Sequence, residues 1–237
     1  MTMHAKDPIS WLTHFIGFIM AIIATPFIIV KAHIDNVGIT FMVAVIIFML
    51  NMMVLYAASS IYHYFNISEK VNLILKRIDH CSIFLLIAGT YTPVCIIGIG
   101  EKSYPMLITV WILAILGIIF KLFWVTCPKW VSSVMYIGLG WVVIFNIKSV
   151  FVSLSTAQFI WLLTGGIFYT VGGVIYSLKP KIFKKEELTG FGNHELFHIF
   201  VMLGTVCHFI CCLLLVQWME TSIFLCIVNI QINSFLT

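Results

Sequence analysis

Charge is what this sequence has least of. Only 9% of its 237 residues are Asp, Glu, Lys or Arg, while 62% are hydrophobic, against roughly 25% charged and 45–50% apolar in a soluble domain. That scarcity excludes a water-soluble globular fold. Low-complexity segments and Gly/Ser linkers are missing too, and the short hairpins between apolar runs leave no room for a soluble domain. The seven cysteines have no C-x-x-C spacing and lie mostly in or beside apolar runs, where they read as packing residues. The first apolar run is longer than a secretory h-region of about 7–15 residues and lacks a small-residue cleavage site after it, which argues against a cleaved signal peptide.

What is present is a series of runs long enough to span a bilayer, which takes about 20 mostly apolar residues at 1.5 Å each. Seven are predicted: Ile9–Val30, Gly38–His63, Cys81–Gly100, Tyr104–Phe120, Trp130–Ile147, Thr156–Leu178 and His194–Met219. The fold class expected is therefore an all-α integral membrane protein, a seven-transmembrane helix bundle. Residues 1–219 form its single domain, and residues 220–237 form a tail, uncharged after Glu220, to which no role is assigned.

Lys and Arg in short loops set orientation. Counting the N-terminal segment and every second loop gathers Lys6, Lys70, Lys76, Arg77, Lys121, Lys129, Lys179, Lys181, Lys184 and Lys185; the other side holds Lys31, Lys102 and Lys148. Ten against three predicts a cytoplasmic N-terminus and a seventh helix ending outside. The net charge of +4 then reflects topology and contact with anionic headgroups, so membrane lipids are the expected partners and nucleic acid is not.

Backbone polar groups in a span are satisfied internally, so polar side chains are the informative ones. They form three clusters: "SSIYHYF" (59–65), "KRIDHCSIFLLIAGTYTP" (76–93) and "NHELFH" (193–198). The predicted topology brings all three to the cytoplasmic end. Ser59 and His63 are four apart, as are His194 and His198, and such pairs share a helix face.

Two helices thus offer three imidazoles and a hydroxyl, with Asp79 arriving from a third. Three neutral imidazoles are a frequent catalytic zinc set that leaves a fourth position open. Such an ion lowers the pKa of a bound water to about 7, and a nearby carboxylate can take its proton. Asp79 is the natural base and Ser59 its hydrogen-bonding partner. Glu195 points about 100° away from His194 and reads as a helix cap. A second reading fits the same spacing, with interfacial histidines that bind nothing and Asp79 simply paired with Lys76 or Arg77.

"HELFH" matches the H-E-x-x-H string of zinc proteases, but a protease needs a peptide cleft and a third ligand downstream. His14 and His80 fall near the same end without a same-face partner, and His208 is expected to be a hydrogen-bonded core histidine. Pro26 and Pro93 are expected to kink their helices. Gly165, Gly166, Gly172 and Gly173 suggest a close-packed helix face.

Taken together, "SSIYHYF", "RIDHCSIFLLIAGTYTP", "YIGLGW" and "GNHELFHIFVMLGTVCHF" resemble the hemolysin III family of the progestin and adipoQ receptor (adiponectin receptor-like) superfamily. The resemblance covers about Ser10 to His208. It implies a zinc ion held by His63, His194 and His198, with Asp79 contacting the metal through water and Ser59 beside it. It also implies a multi-pass protein of the bacterial plasma membrane.

Adiponectin receptors and their alkaline ceramidase relatives are linked to lipid amide hydrolysis, whereas bacterial members are named for hemolytic activity. The resemblance thus implies a protein that acts on or senses membrane lipids, with a ceramidase-like hydrolase as one form. The alternative is a non-enzymatic cytolysin, or a regulator of membrane state with a structural metal.

Overall fold

Backbone amides that cannot reach water in lipid must pair within their own segment, and the chain meets this condition with helices alone. The computed structural model describes residues 5–180 and 191–235, with side chains up to residue 217, and no strand occurs among the described residues. In chain order the helices are α1 (Pro8–Ile34), α2 (Ile39–Tyr64), α3 (Glu69–Pro93), α4 (Tyr104–Phe123), α5 (Lys129–Gly140), α6 (Ile147–Ser153), α7 (Thr156–Leu178) and α8 (Asn193–Phe235). They supply seven segments long and apolar enough to cross a membrane, the last of them Asn193–Gln217. The basic residues Lys181, Lys184 and Lys185 lie outside the described residues.

Local signals explain the boundaries. Pro8 opens α1 at a position where its missing N–H is no loss. Ser68 caps α3 by accepting from the Val71 amide, with Glu69 in the first turn. Ser155 and Gln158 form a reciprocal capping box on α7. The third span therefore starts at Glu69 rather than near Cys81. Lys70, Lys76 and Arg77 belong to the helix, since long basic side chains can keep their heads at the interface.

Two spans depart from regular α-helix. After Pro93, α3 loosens into a π-helical stretch, Val94–Ile99, which ends at Gly100 with φ of 80°. The fifth span breaks at Gly140 into a 3₁₀ stretch, Trp141–Asn146, before α6. There the Tyr91 hydroxyl donates to the Gly140 carbonyl at 2.6 Å and accepts from the Val143 amide at 3.0 Å. One side chain of α3 thus supplies partners to the interrupted backbone, the condition for a helix break at membrane depth.

The helices pack as a ring in which α3 links α2 to α4 and is set inward against α5 and α8. Contacts run α1 to α2, α4 to α5, α5 to α7, α7 to α8, and α8 back to α1, while α3 touches α2, α4, α5 and α8. In the most apolar 18-residue stretch of the α3 span 78% of the residues are buried, against 17–44% in the corresponding stretches of the other six. Large apolar side chains such as Phe27, Phe123, Phe145 and Val152 point outward, as a bundle in lipid requires. The most extensive contact joins α7 to α8. There Gly165 lies against His208 and the Gly204 carbonyl, and Gly172 against Phe200, so these two glycines form the close-packed face. Gly166 has open space in the direction of a side chain and takes no part in that contact.

Candidate metal centre

His63 closes α2 and His194 opens α8, and the return of α8 to the α1–α2 side brings them together. Their Nε2 atoms are 3.2 Å apart. His198, one turn along α8, completes a set in which one ligand atom from each histidine lies within 4.8 Å of the others. Two nitrogens each about 2.0–2.1 Å from a tetrahedral zinc would stand about 3.3 Å apart, so the closest pair fits that ion.

The outer nitrogens decide which inner ones are free. His63 Nδ1 donates to Asp7 Oδ2 at 2.9 Å, and His198 Nδ1 donates to the Ser10 carbonyl at 3.2 Å. With the protons placed there by this network, both Nε2 atoms present lone pairs to the centre. A carboxylate or carbonyl behind a ligating imidazole is the arrangement that fixes ring orientation in metal sites. His194 Nδ1 is buried and has no hydrogen-bond partner among the described residues.

Both outer contacts come from the start of α1, which the spacing argument left out of the site. Asp7 is held in place by its own amide, which donates to the His63 carbonyl at 2.9 Å, while the Lys6 amide donates to the Tyr64 carbonyl at 3.1 Å. The hydrogen bond from His63 holds the Asp7 carboxyl below the usual aspartate range; partial burial opposes it, and the charges of His63 and Lys6 assist it. Ser10 and Thr13 follow one turn on, with the Thr13 hydroxyl 3.4 Å from His198 Nδ1.

His14 was expected to lack a same-face partner. Instead it shares the buried face of α1 with Ser10 and stacks on His198 with ring centroids 3.7 Å apart. The signal was in the sequence: Asp7, Ser10, His14, Gly17 and Ala21 follow helical spacing along one stripe.

Glu195 faces away from the histidine nitrogens. Its Oε1 accepts from the Ser10 hydroxyl at 2.6 Å and its Oε2 from the Gly192 amide at 2.8 Å. The second contact is the returning half of a capping box, and the first clips α8 to α1. A protease-like reading of "HELFH" would need this carboxylate at the centre, and the geometry directs it elsewhere.

Asp79 and Ser59 line a cavity that also receives His194 and His198. Asp79 is buried and does not belong to the set of mutually close ligand atoms. Ser59 Oγ is buried and has no hydrogen-bond partner among the described residues. The cavity runs between α3, α5, α7 and α8 along walls such as Leu86, Ile87, Val94, Phe159 and Leu162. Polar groups crowd the histidine end and apolar ones most of the rest.

Against known proteins, the family description "Haemolysin-III related" matches residues 2–209. The chain belongs to the haemolysin III family. It is 37% identical to the Hemolysin-3 homolog of Bacillus subtilis (strain 168) over 204 residues, 85% of this chain and 90% of that one. It is 35% identical to Hemolysin-3 of Bacillus cereus over 215 residues, 90% and 93% of the two chains. A more distant match joins the haemolysin III fold to the wider receptor superfamily: the adiponectin receptor protein of Drosophila melanogaster, 27% identical over 156 residues, 60% of this chain and 35% of the receptor. Membership and the seven apolar helices make this a multi-pass membrane protein, and its bacterial relatives point to the plasma membrane.

Proposed function

We propose that this protein is a zinc-dependent hydrolase of membrane-lipid amides, with its centre at the cytoplasmic face. The observation that carries the reading is a convergent three-histidine set, two of whose members line, with a buried carboxylate, a cavity whose walls are otherwise mostly apolar. His63, His194 and His198 hold the ion. When bound, zinc supplies a Lewis acid that polarises a carbonyl and makes water acidic near neutral pH.

The remaining work falls to the chain. Asp79 takes a proton from the water that adds to the amide carbonyl and returns it to the nitrogen as the C–N bond breaks, releasing a fatty acid and an amine. The Ser59 hydroxyl, otherwise unpaired, orients the Asp79 carboxylate. The cavity shields the acyl chain from water. The excess of Lys and Arg on one side supports the cytoplasmic placement.

Metal analysis of purified protein beside a His63→Ala, His194→Ala, His198→Ala variant tests the site, with zinc expected in the first alone. Release of fatty acid from an N-acyl sphingoid lipid tests the chemistry. Asp79→Asn is expected to keep zinc and lose release. A zinc-loaded protein that releases no fatty acid, with an Asp79→Asn variant that keeps the cellular effect, refutes catalysis.

The names of the Bacillus relatives favour a second reading, a lytic protein with a structural metal. A water-filled pore needs polar groups along several spans, whereas most of the cavity wall is apolar. Dye release from liposomes that survives His194→Ala would point to metal-independent lysis.

A further inference from the structure

His208 lies ten residues beyond His198 on α8, about 15 Å along the axis, and both rings line the same cavity. It was expected to be a hydrogen-bonded core histidine. The ring is buried and stacks on Tyr169 with centroids 5.2 Å apart, yet no hydrogen bond reaches it among the described residues. The polar groups nearby are engaged with one another. The Tyr169 hydroxyl pairs with Thr205 Oγ1 at 2.9 Å, and Thr205 donates to the Val201 carbonyl. The fold also makes room for this imidazole, since a Cβ on Gly165 would stand 2.8 Å from its Nε2.

No protein group among the described residues pairs with this imidazole, and the cavity that it lines is where a partner can reach it. We infer that His208 is a second polar subsite, which recognises a hydroxyl carried mid-chain on an acyl lipid whose carbonyl end sits at the histidine triad. The inference rests on the acyl-lipid reading above and narrows its substrate class. A neutral imidazole offers one donor and one acceptor on different ring edges, and a hydroxyl can pair with either of them. A saturated chain returns neither, and a carboxylate would lose its hydration beside a single neutral ring. The separation of about 15 Å corresponds to roughly a dozen C–C bonds of extended chain.

The test is displacement of a radiolabelled fatty acid from the purified, zinc-loaded full chain in nanodiscs. The competitors are stearic acid and its derivative hydroxylated about twelve carbons from the carboxylate. The hydroxylated chain is expected to bind about two- to tenfold tighter, the range set by one net hydrogen bond. His208→Leu should erase the preference and leave stearate affinity unchanged. His208→Gln, which keeps a donor and an acceptor, should preserve it and guards against a Leu variant that fails to fold.

Equal binding of the two chains to the wild type overturns the subsite while the acyl cavity stands, and leaves water as the partner of the ring. A preference that persists in His208→Leu places the hydroxyl elsewhere and overturns it too. If neither chain binds, the acyl-lipid reading falls and the subsite with it.

Discussion

Replacing Asp7 with alanine removes a carboxylate that hydrogen-bonds a member of the histidine set, and does so from outside the membrane span. His63 Nδ1 then loses a hydrogen bond of 2.9 Å, and with it the restraint that turns Nε2 toward His194. Loss of such outer partners weakens metal binding by roughly 10–100-fold. The Asp7 side chain is 40% exposed, so water can replace part of the contact. The expected effect is therefore about a tenfold rise in the zinc Kd, close to 1.4 kcal/mol.

Asp7→Asn keeps an accepting oxygen without the charge, and should fall between wild type and alanine. Competition against a zinc-sensitive dye on metal-stripped protein measures both variants, with His63→Ala as the reference for full loss. The ratio of variant to wild type carries a pH signature. The Asp7 carboxyl is held below its usual range, so its contribution is complete above that range and is lost only as the pH falls through the depressed value. The ratio should therefore be flat between about pH 7.5 and pH 8.5. An Asp7→Ala protein that binds zinc as tightly as wild type, while His63→Ala binds none, would show the carboxylate to be a surface charge and refute the argument.

Other variants separate scaffold from site. Glu195→Ala leaves the buried Ser10 hydroxyl and the Gly192 amide without their partner, and should cost about 1–3 kcal/mol of stability in a denaturation assay; zinc stoichiometry should remain that of wild type. Gly117→Ala drives a methyl group into the buried Phe84 ring between α4 and α3. It should destabilise by about 1–3 kcal/mol, read as a lower melting temperature of the metal-free protein. Tyr91→Phe removes the hydroxyl that serves the Gly140 carbonyl and the Val143 amide. A loss of about 1–3 kcal/mol is expected, with faster amide exchange over 141–146.

Much of the fold was legible because lipid imposes one rule on the backbone and the sequence obeys it run by run. The places where reading and structure part are those where hydropathy and helicity differ. Lys70, Lys76 and Arg77 look like loop markers, yet they sit inside α3 because a Ser68 cap starts the helix earlier. The fifth span reads as one run, but its break at Gly140 depends on Tyr91 from another helix, and nothing near residue 140 announces that.

At the centre, His63, His194 and His198 could be brought together from spacing and topology. The outer layer could not, because Asp7 acts through a contact to α2 and Ser10 partly through its main-chain carbonyl, which no residue type signals. His14 stayed hidden for a simpler reason: its neighbour on the same face is Ser10, a residue that rarely marks a site alone.

The ring of helices closes where α1 meets α8, and the histidine cluster straddles that seam. His63 and the restraints from α1 are present once the first two spans are inserted, but the other two imidazoles arrive only with the seventh. During synthesis the bundle therefore has no complete set of three imidazoles until its seventh span is in the membrane, and an ion held by all three would bind only after that step. An ion bound there would act as a clasp on the seam, holding the earliest and latest parts of the membrane domain together.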